Sequence, residues 1–141
     1  MSQESSGLPP PIMVSSHDLA RLEAMLESPA LNRNPAAAAL GEELLRAQVL
    51  PPDQIPKGVV TMHSTVECED VGNGEKHTLT VVYPNEANVD LGHVSVLAPV
   101  GSALLGLSVG QTIEWDAPSG KLHLRVIAVH YQPEAAGDLN R

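Results

Sequence analysis

Residues 94–110 carry the stretch VSVLAPVGSALLGLSVG, in which the spacing of the apolar side chains changes partway along. The first five residues, 94–98, suit a short buried strand, and Pro99 closes it because proline cannot continue the ladder of hydrogen bonds. From Val100 the apolar side chains recur at helical spacing until the chain reaches Gly110. The stretch therefore predicts a strand, a sharp corner and a short helix in direct succession.

Alternating apolar and polar side chains predict four more strands around this stretch. These strands are expected at residues 60–68, 77–83, 112–115 and 121–131, with a Gly-Asn-Gly turn between the first two. In the first strand the pattern assigns His63 to the solvent face. One short helix on an antiparallel sheet makes an α+β domain, predicted over residues 59–132, with residues 133–141 as a C-terminal tail.

The first fifty residues follow a helical pattern rather than an alternating one. One helix is predicted to start at a Ser-x-x-Asp pattern that ends at Asp18 and to stop at Pro29, and Asn34 is the expected N-cap of a second helix over Pro35–Val49. A disordered tail, an antiparallel helical hairpin (coiled coil) and a stiff linker are predicted at residues 1–14, 15–50 and 51–58. The same helices would also suit an N-terminal lobe of a single globule.

Composition and charge exclude several classes of function. The net charge is −9, from 17 acidic and 8 basic residues, and aromatic residues make up 2%. Nucleic-acid binding depends on cations and stacking rings, so we expect no direct sequence-specific nucleic-acid binding. No apolar run approaches the roughly 20 residues of a membrane helix. The single cysteine, Cys68, cannot form an internal disulfide, and its acidic neighbours favour an inert thiol. We therefore expect a cytoplasmic protein.

No pattern in the sequence predicts a metal site, a cofactor or a catalytic centre. The six histidines do not occur at metal-ligand spacings, and His63 and His123 are expected to be solvated. Gly101 and Gly106 resemble a phosphate-binding loop only in their spacing, since no Lys-Ser/Thr pair follows them. The acidic run at residues 67–70 is split between two strand faces, which favours a solvated strand end.

The stretch at residues 94–110 resembles the signature of the C-terminal domain of the bacterial Gre transcript-cleavage factors, the GreA/GreB family. Within this family the chain resembles the Gre-like regulators of nucleoside diphosphate kinase more than it resembles the cleavage factors. That resemblance is carried by residues 59–62, 82–84, 98–106 and 131–138, and it extends over residues 15–138.

The resemblance implies an FK506-binding-protein-like (FKBP-like) domain that docks on RNA polymerase at the mouth of its secondary channel. In Gre factors a coiled coil enters the channel, and carboxylates at its tip help to hold a second Mg²⁺. The matching tip here contains Pro29, Leu31, Asn32, Arg33 and Asn34 and has no carboxylate. Its arms are also short, roughly 16 to 22 Å. We therefore expect a protein that is not an enzyme and that competes with Gre-type cleavage factors.

The polymerase-binding corner implied by the resemblance comprises Leu97, Ala98, Pro99 and Val100. Gre factors often have an acidic residue where this chain has Leu97, and Pro99 would also be explained as a simple helix start. An indirect effect on nucleoside diphosphate kinase levels is expected, with direct binding to that kinase as the alternative. A peptidyl-prolyl isomerase is a further alternative, although no Phe, one Trp and two Tyr can hardly line a proline pocket.

Overall fold

The computed structural model describes residues 12–31, 33–117 and 120–137. It is an α+β structure in which a two-helix segment precedes a five-stranded sheet. The elements in chain order are β1 Met13–Ser15, α1 Ser16–Leu26, α2 Pro35–Arg46, β2 Gln48–Leu50, β3 Thr65–Asp70, β4 Lys76–Val82, β5 His93–Ser95, α3 Pro99–Leu104, β6 Thr112–Ala117, β7 Gly120–Tyr131 and α4 Pro133–Ala136. None of the helices in the described ranges is long and apolar enough to cross a membrane.

Side-chain caps start the first two helices where the sequence predicts. The hydroxyl of Ser15 accepts a hydrogen bond of 2.9 Å from the backbone N–H of Asp18, and Asn34 accepts from Ala36 at 2.8 Å. The second helix is shorter than predicted and ends at Arg46, because residues 48–50 pair in parallel with β1. This pairing gives the backbone of residues 48–50 partners outside the helix.

The tails differ from the sequence-based prediction. Residues 1–11 of the predicted N-terminal tail lie outside the described residues, but Ile12 and Val14 are buried and β1 begins at Met13. At the other end, residues 133–136 form α4, and Gln132 and Pro133 are buried. Residues 138–141 of the predicted C-terminal tail also lie outside the described residues.

The sheet is mixed, and the prediction of an antiparallel sheet is wrong at one edge. The strand order is β5-β4-β3-β7-β6, and every pair is antiparallel except β4 with β5. Between β4 and β5 the chain passes through short 3-10 turns at Pro84–Glu86 and Val89–Leu91. A tight hairpin would reverse the chain, whereas this longer connection brings it back beside Thr80, so that β5 runs parallel to the last three residues of β4.

Residues 59–64 form an irregular segment instead of the first part of a strand. The backbone of Val60 exchanges hydrogen bonds with Gly106 and Leu107, and the N–H of His63 donates to the carbonyl of Val81 at 2.6 Å. His63 has a φ of 67°, which turns the chain before the ladder of β3 begins at Thr65. The period-two pattern therefore fails here, and both Thr61 and His63 are buried.

One apolar core joins the helices to the sheet. Leu22 and Leu40 are fully buried in the same cluster as Val66, Val81 and Leu104. The helix α3 lies so close to β5 that a side chain at Gly101 would collide with the backbone carbonyl of Ser95. The helical segment is therefore packed into the core rather than attached by its linker alone.

Candidate docking site

The corner predicted to bind polymerase is a hydrogen-bonded turn between β5 and α3. The side chain of Ser95 accepts from the N–H of Leu97 at 3.0 Å, and its carbonyl accepts from Ala98 at the same distance. Pro99 occupies the first position of α3. Leu97, Ala98 and Val100 are half-buried, and Leu97 and Val100 also pack against the core. The corner is thus braced internally, and its polymerase-binding role stays a prediction.

The predicted hairpin tip lies between α1 and α2. Pro29 and Arg33 are exposed, Leu31 is half-buried, and Asn34 is occupied as the cap of α2. Asn32 lies outside the described residues. The arms contain 11 and 12 residues. At about 1.5 Å per residue each arm is roughly 16 to 18 Å long, the lower part of the range expected from sequence.

A groove of about 610 Å³ separates the tip from the chain that follows β4. Its lining is mainly apolar on the helical side and includes Tyr83 on the other. The groove is lined by Arg21, Ala24, Met25, Ser28, Ala30, Leu31, Tyr83, Pro84 and Asn85. Leu97, Ala98 and Val100 do not line it, so the tip borders this groove and the predicted corner does not.

Beside the groove, a buried histidine pairs with a carboxylate. Nε2 of His63 lies 2.7 Å from Oε1 of Glu86, and the same oxygen accepts from the backbone N–H of Tyr83 at 3.2 Å. Burial would raise the pKa of Glu86, but these hydrogen bonds outweigh it and the pKa is lowered. The carboxylate is therefore the acceptor, and Nε2 of His63 carries the proton. This arrangement corrects the prediction that His63 is solvated.

Tyr83 links this pair to the helical segment. Its ring meets the ring of His63 edge to face, with centroids 5.5 Å apart, and the guanidinium of Arg21 lies 4.5 Å from its centre. Burial first, and then the charge of Asp18, raise the pKa of its phenol. Neither Oη of Tyr83 nor Nδ1 of His63 has a hydrogen-bond partner in the described part of the chain. The rings of His63 and Tyr83 and the guanidinium of Arg21 thus lie in successive contact at the edge of the groove.

Asp18 forms a buried polar contact between α1 and the sheet domain. It is 3% exposed, and its Oδ2 accepts from the backbone N–H of Met62 at 3.2 Å. Burial, reinforced by the charge of Glu134, raises the pKa of its carboxyl to about 7, although Met62, Arg21 and Ser15 act in the opposite direction. Sequence reasoning identified Asp18 only as a helix-start residue, because nothing local reveals its contact with a residue 44 positions away.

The remaining candidate groups are placed as follows. His123 is about half exposed beside Glu114, as predicted. Cys68 is fully buried, and burial and then Glu67 raise the pKa of its thiol, which agrees with the predicted inert cysteine. Among the described residues there is no group of His, Cys, Asp or Glu side chains that could hold a metal ion.

Two family models divide the chain between them. Residues 55–131 match the model described as transcription elongation factor, GreA/GreB, C-terminal, and residues 10–50 match the model described as Rnk N-terminus. The boundary between these matches falls in the proline-containing connection. The two-helix segment and the sheet domain are thus each matched by a model of their own.

Individual relatives match either nearly the whole chain or about half of it. The regulator of nucleoside diphosphate kinase of Escherichia coli (strain K12) is 45% identical over 130 residues, covering 92% of this chain and 96% of that protein. Transcription elongation factor GreA of Solidesulfovibrio magneticus is 42% identical over 80 residues, which cover 56% of this chain and 49% of that protein.

A solved structure agrees over both parts. The prokaryotic transcription elongation factor GreA/GreB from Nitrosomonas europaea has a TM-score of 0.73 and 46% identity, covering 86% of this chain and 99% of that chain. The similarity therefore extends over the two-helix segment as well as the sheet domain.

Proposed function

Because the chain belongs to the GreA/GreB-like family and is homologous to the regulator of nucleoside diphosphate kinase, we propose that it is a non-catalytic, cytoplasmic transcription regulator. In this proposal it binds RNA polymerase near the secondary channel and competes with Gre-type cleavage factors. The sheet domain would be the FKBP-like docking domain, and the two helices would be a shortened coiled-coil hairpin.

One observation carries the proposal: the domain that matches the GreA/GreB C-terminal model follows a short two-helix segment whose tip lacks carboxylates. The match over residues 55–131 supports a shared docking surface, and two proteins that share one surface compete for it. Between Glu27 and Glu42 the sequence contains no acidic residue. A Mg²⁺ ion needs hard oxygen ligands, so this tip offers no carboxylate to hold one beside the polymerase active site.

Competition on purified core RNA polymerase tests this function. The full chain should bind the polymerase and displace a labelled GreA, and it should leave a backtracked transcript uncleaved. Failure to bind, or binding without displacement, would contradict the proposal.

A surface variant locates the contact. Ala98 is half-buried and makes no side-chain cap to α3, so Ala98→Arg adds bulk and charge at the corner without removing a hydrogen bond. We expect about a tenfold loss of polymerase affinity. Ala87→Arg, at an exposed alanine elsewhere in the same domain, is the matched control and should bind like the wild type.

A second candidate is direct binding to nucleoside diphosphate kinase, favoured by the name of the 45% identical relative. Sedimentation of the two purified proteins would reveal a stable complex. We favour an indirect effect through transcription, and such a complex would contradict that preference. For a peptidyl-prolyl isomerase the groove offers Tyr83 as the single aromatic side chain among its described lining residues, which gives little support to proline recognition.

A further inference from the structure

The C-terminal stretch after β7 makes contacts that its position in the sequence does not suggest. The side chain of Gln132 is buried, and its Nε2 donates to the carbonyls of Pro56 and Val59, both at 2.7 Å. Its Oε1 accepts from the N–H of Ala135 at 3.1 Å. One amide thus ties the end of the sheet, the start of α4 and the linker together.

Two residues later, Glu134 holds the irregular segment that precedes β3. The hydroxyl of Thr61 donates to Oε1 of Glu134 at 2.7 Å. The backbone N–H of Thr61 donates to Oγ of Ser64 at 2.8 Å, and the two hydroxyls are also 2.8 Å apart. A hydroxyl has one proton, so Ser64 must donate to Thr61 while Thr61 donates to Glu134. The bonds form one directed chain that ends at the carboxylate.

The next residue along the chain is held by the helical segment. The N–H of Met62 donates to Oδ2 of Asp18 in the first turn of α1. Adjacent residues, Thr61 and Met62, are therefore held by α4 and α1 respectively. The two carboxylates are close enough for Glu134 to act electrostatically on Asp18. The short α4 is thus connected to the base of the helical segment, the first turn of α1, through only two residues, Thr61 and Met62.

We propose that Gln132 and Glu134 are positioning residues that fix the direction in which the two-helix segment leaves the sheet domain. Gln132 immobilises the linker, and Glu134 immobilises the residue beside the attachment point of Asp18. A segment held in one direction loses less conformational freedom when the tip and the domain contact a partner together. The consequence for polymerase binding rests on the proposed function, whereas the direction of the segment does not.

Distances between spin labels measure this direction without any partner. Labels on cysteines introduced at exposed Arg33 and Thr78 report the separation of the tip from β4. Cys68 is fully buried, and absence of labelling in the wild-type chain checks that it does not react. Glu134→Ala and Gln132→Ala should each broaden or shift the distance distribution, while hydrogen exchange in β3 and β7 stays protected.

Glu134→Gln is the conservative control, because its amide oxygen can still accept from Thr61, and its distances should match the wild type. If Glu134→Ala does not fold, Thr61→Val and Thr61→Ser make the same comparison, since only serine keeps the hydroxyl. A distribution that is unchanged in Glu134→Ala, or in Thr61→Val when Glu134→Ala does not fold, would overturn the positioning role.

Polymerase binding forms a separate arm of the experiment. Glu134→Ala should lose about tenfold in affinity for core polymerase, and Glu134→Gln should restore it. Altered distances with unaltered affinity would overturn the consequence for binding. If the wild-type chain itself binds no polymerase, the proposed function fails, and the spin-label distances still decide the positioning role.

Discussion

The tip and the base of the two-helix segment differ in where acidic side chains are placed. The tip lacks acidic residues although the chain has a net charge of −9, and Arg33 there is exposed. The base places the carboxylate of Asp18 in the interior, within electrostatic reach of Glu134. A carboxylate can bind a metal ion only where the ion can reach it. Asp18 in this base and Glu134 in α4 instead accept hydrogen bonds from Met62 and Thr61 of the sheet domain, which makes both carboxylates structural.

The largest expected effect tests whether the base belongs to the core and the tip does not. Leu22 is fully buried in the shared core, so Leu22→Ala should lower the free energy of unfolding by about 3 kcal/mol through the cavity it leaves. Leu31→Ala, at the half-buried tip, should cost less than about 1 kcal/mol. Urea unfolding measures both changes, and equal losses would contradict the distinction.

The next effect is the pH dependence that Asp18 confers. Its pKa is about 7 in the folded chain against an ordinary 3.8, so between these values the folded state keeps a proton that the unfolded state has lost. The stabilising contribution is complete below the ordinary value and disappears as the pH rises through 7. Asp18→Asn can keep the acceptor for Met62 without the charge. Relative to the wild type it should gain about 2 to 3 kcal/mol between pH 5 and pH 8.

Urea unfolding of both chains at the two pH values checks this gain. The exposed Asp53→Asn serves as a matched control and should change little. A difference between Asp18→Asn and the wild type that is the same at pH 5 and pH 8 would contradict a buried, proton-holding Asp18.

A smaller effect is expected for the pair beside the groove. Glu86 has a lowered pKa, so its contribution to the free energy of unfolding is present above the ordinary glutamate range. This contribution is lost as the pH falls through the lowered pKa. Glu86→Gln should lower the free energy of unfolding by only about 0.5 kcal/mol at pH 7, because the side chain is 44% exposed. The loss should be smaller at pH 3. Glu75→Gln is the comparison, because Glu75 lies 3.8 Å from the exposed His77. Equal costs for the two variants would show that the burial of His63 has no energetic consequence.

The smallest effect on stability concerns the tip itself. Arg33→Asp supplies a carboxylate at an exposed position and should change the free energy of unfolding by less than about 0.5 kcal/mol. It should also leave backtracked transcripts uncleaved, because arms of roughly 16 to 18 Å remain short. A gel assay of transcript cleavage decides the matter, with the wild-type chain and GreA as the two references. Cleavage by the variant would show that composition, rather than length, limits this tip.

Local signals in the sequence were sufficient for most elements. Ser15 and Asn34 cap the first two helices as predicted, because a cap depends on residues two or three positions away. Pro99 begins α3 after the strand at residues 93–95 for a similar reason. The Gre-type stretch at residues 94–110 also led to the family that the matched models support.

Errors arose where distant residues competed with the local pattern. His63 follows the alternation of a strand, yet hydrogen bonds to Val81 and Glu86 hold it in a buried turn. The parallel position of β5 depends on how the 3-10 turns carry the chain, which alternation does not encode. The candidate corner at residues 97–100 was reached through resemblance, whereas the groove beside Tyr83 had no signal in the sequence.

The sequence by itself determined the types of most elements, the family and the tip without carboxylates, because each depends on residue identity or on neighbours along the chain. The tertiary structure alone decided that Asp18 meets Met62 and that Glu134 meets Thr61, 44 and 73 positions apart. Such contacts form only after the apolar core has brought α1 and α4 to the same two residues. A buried carboxylate must then find a donor, and the fold determines which donor is there.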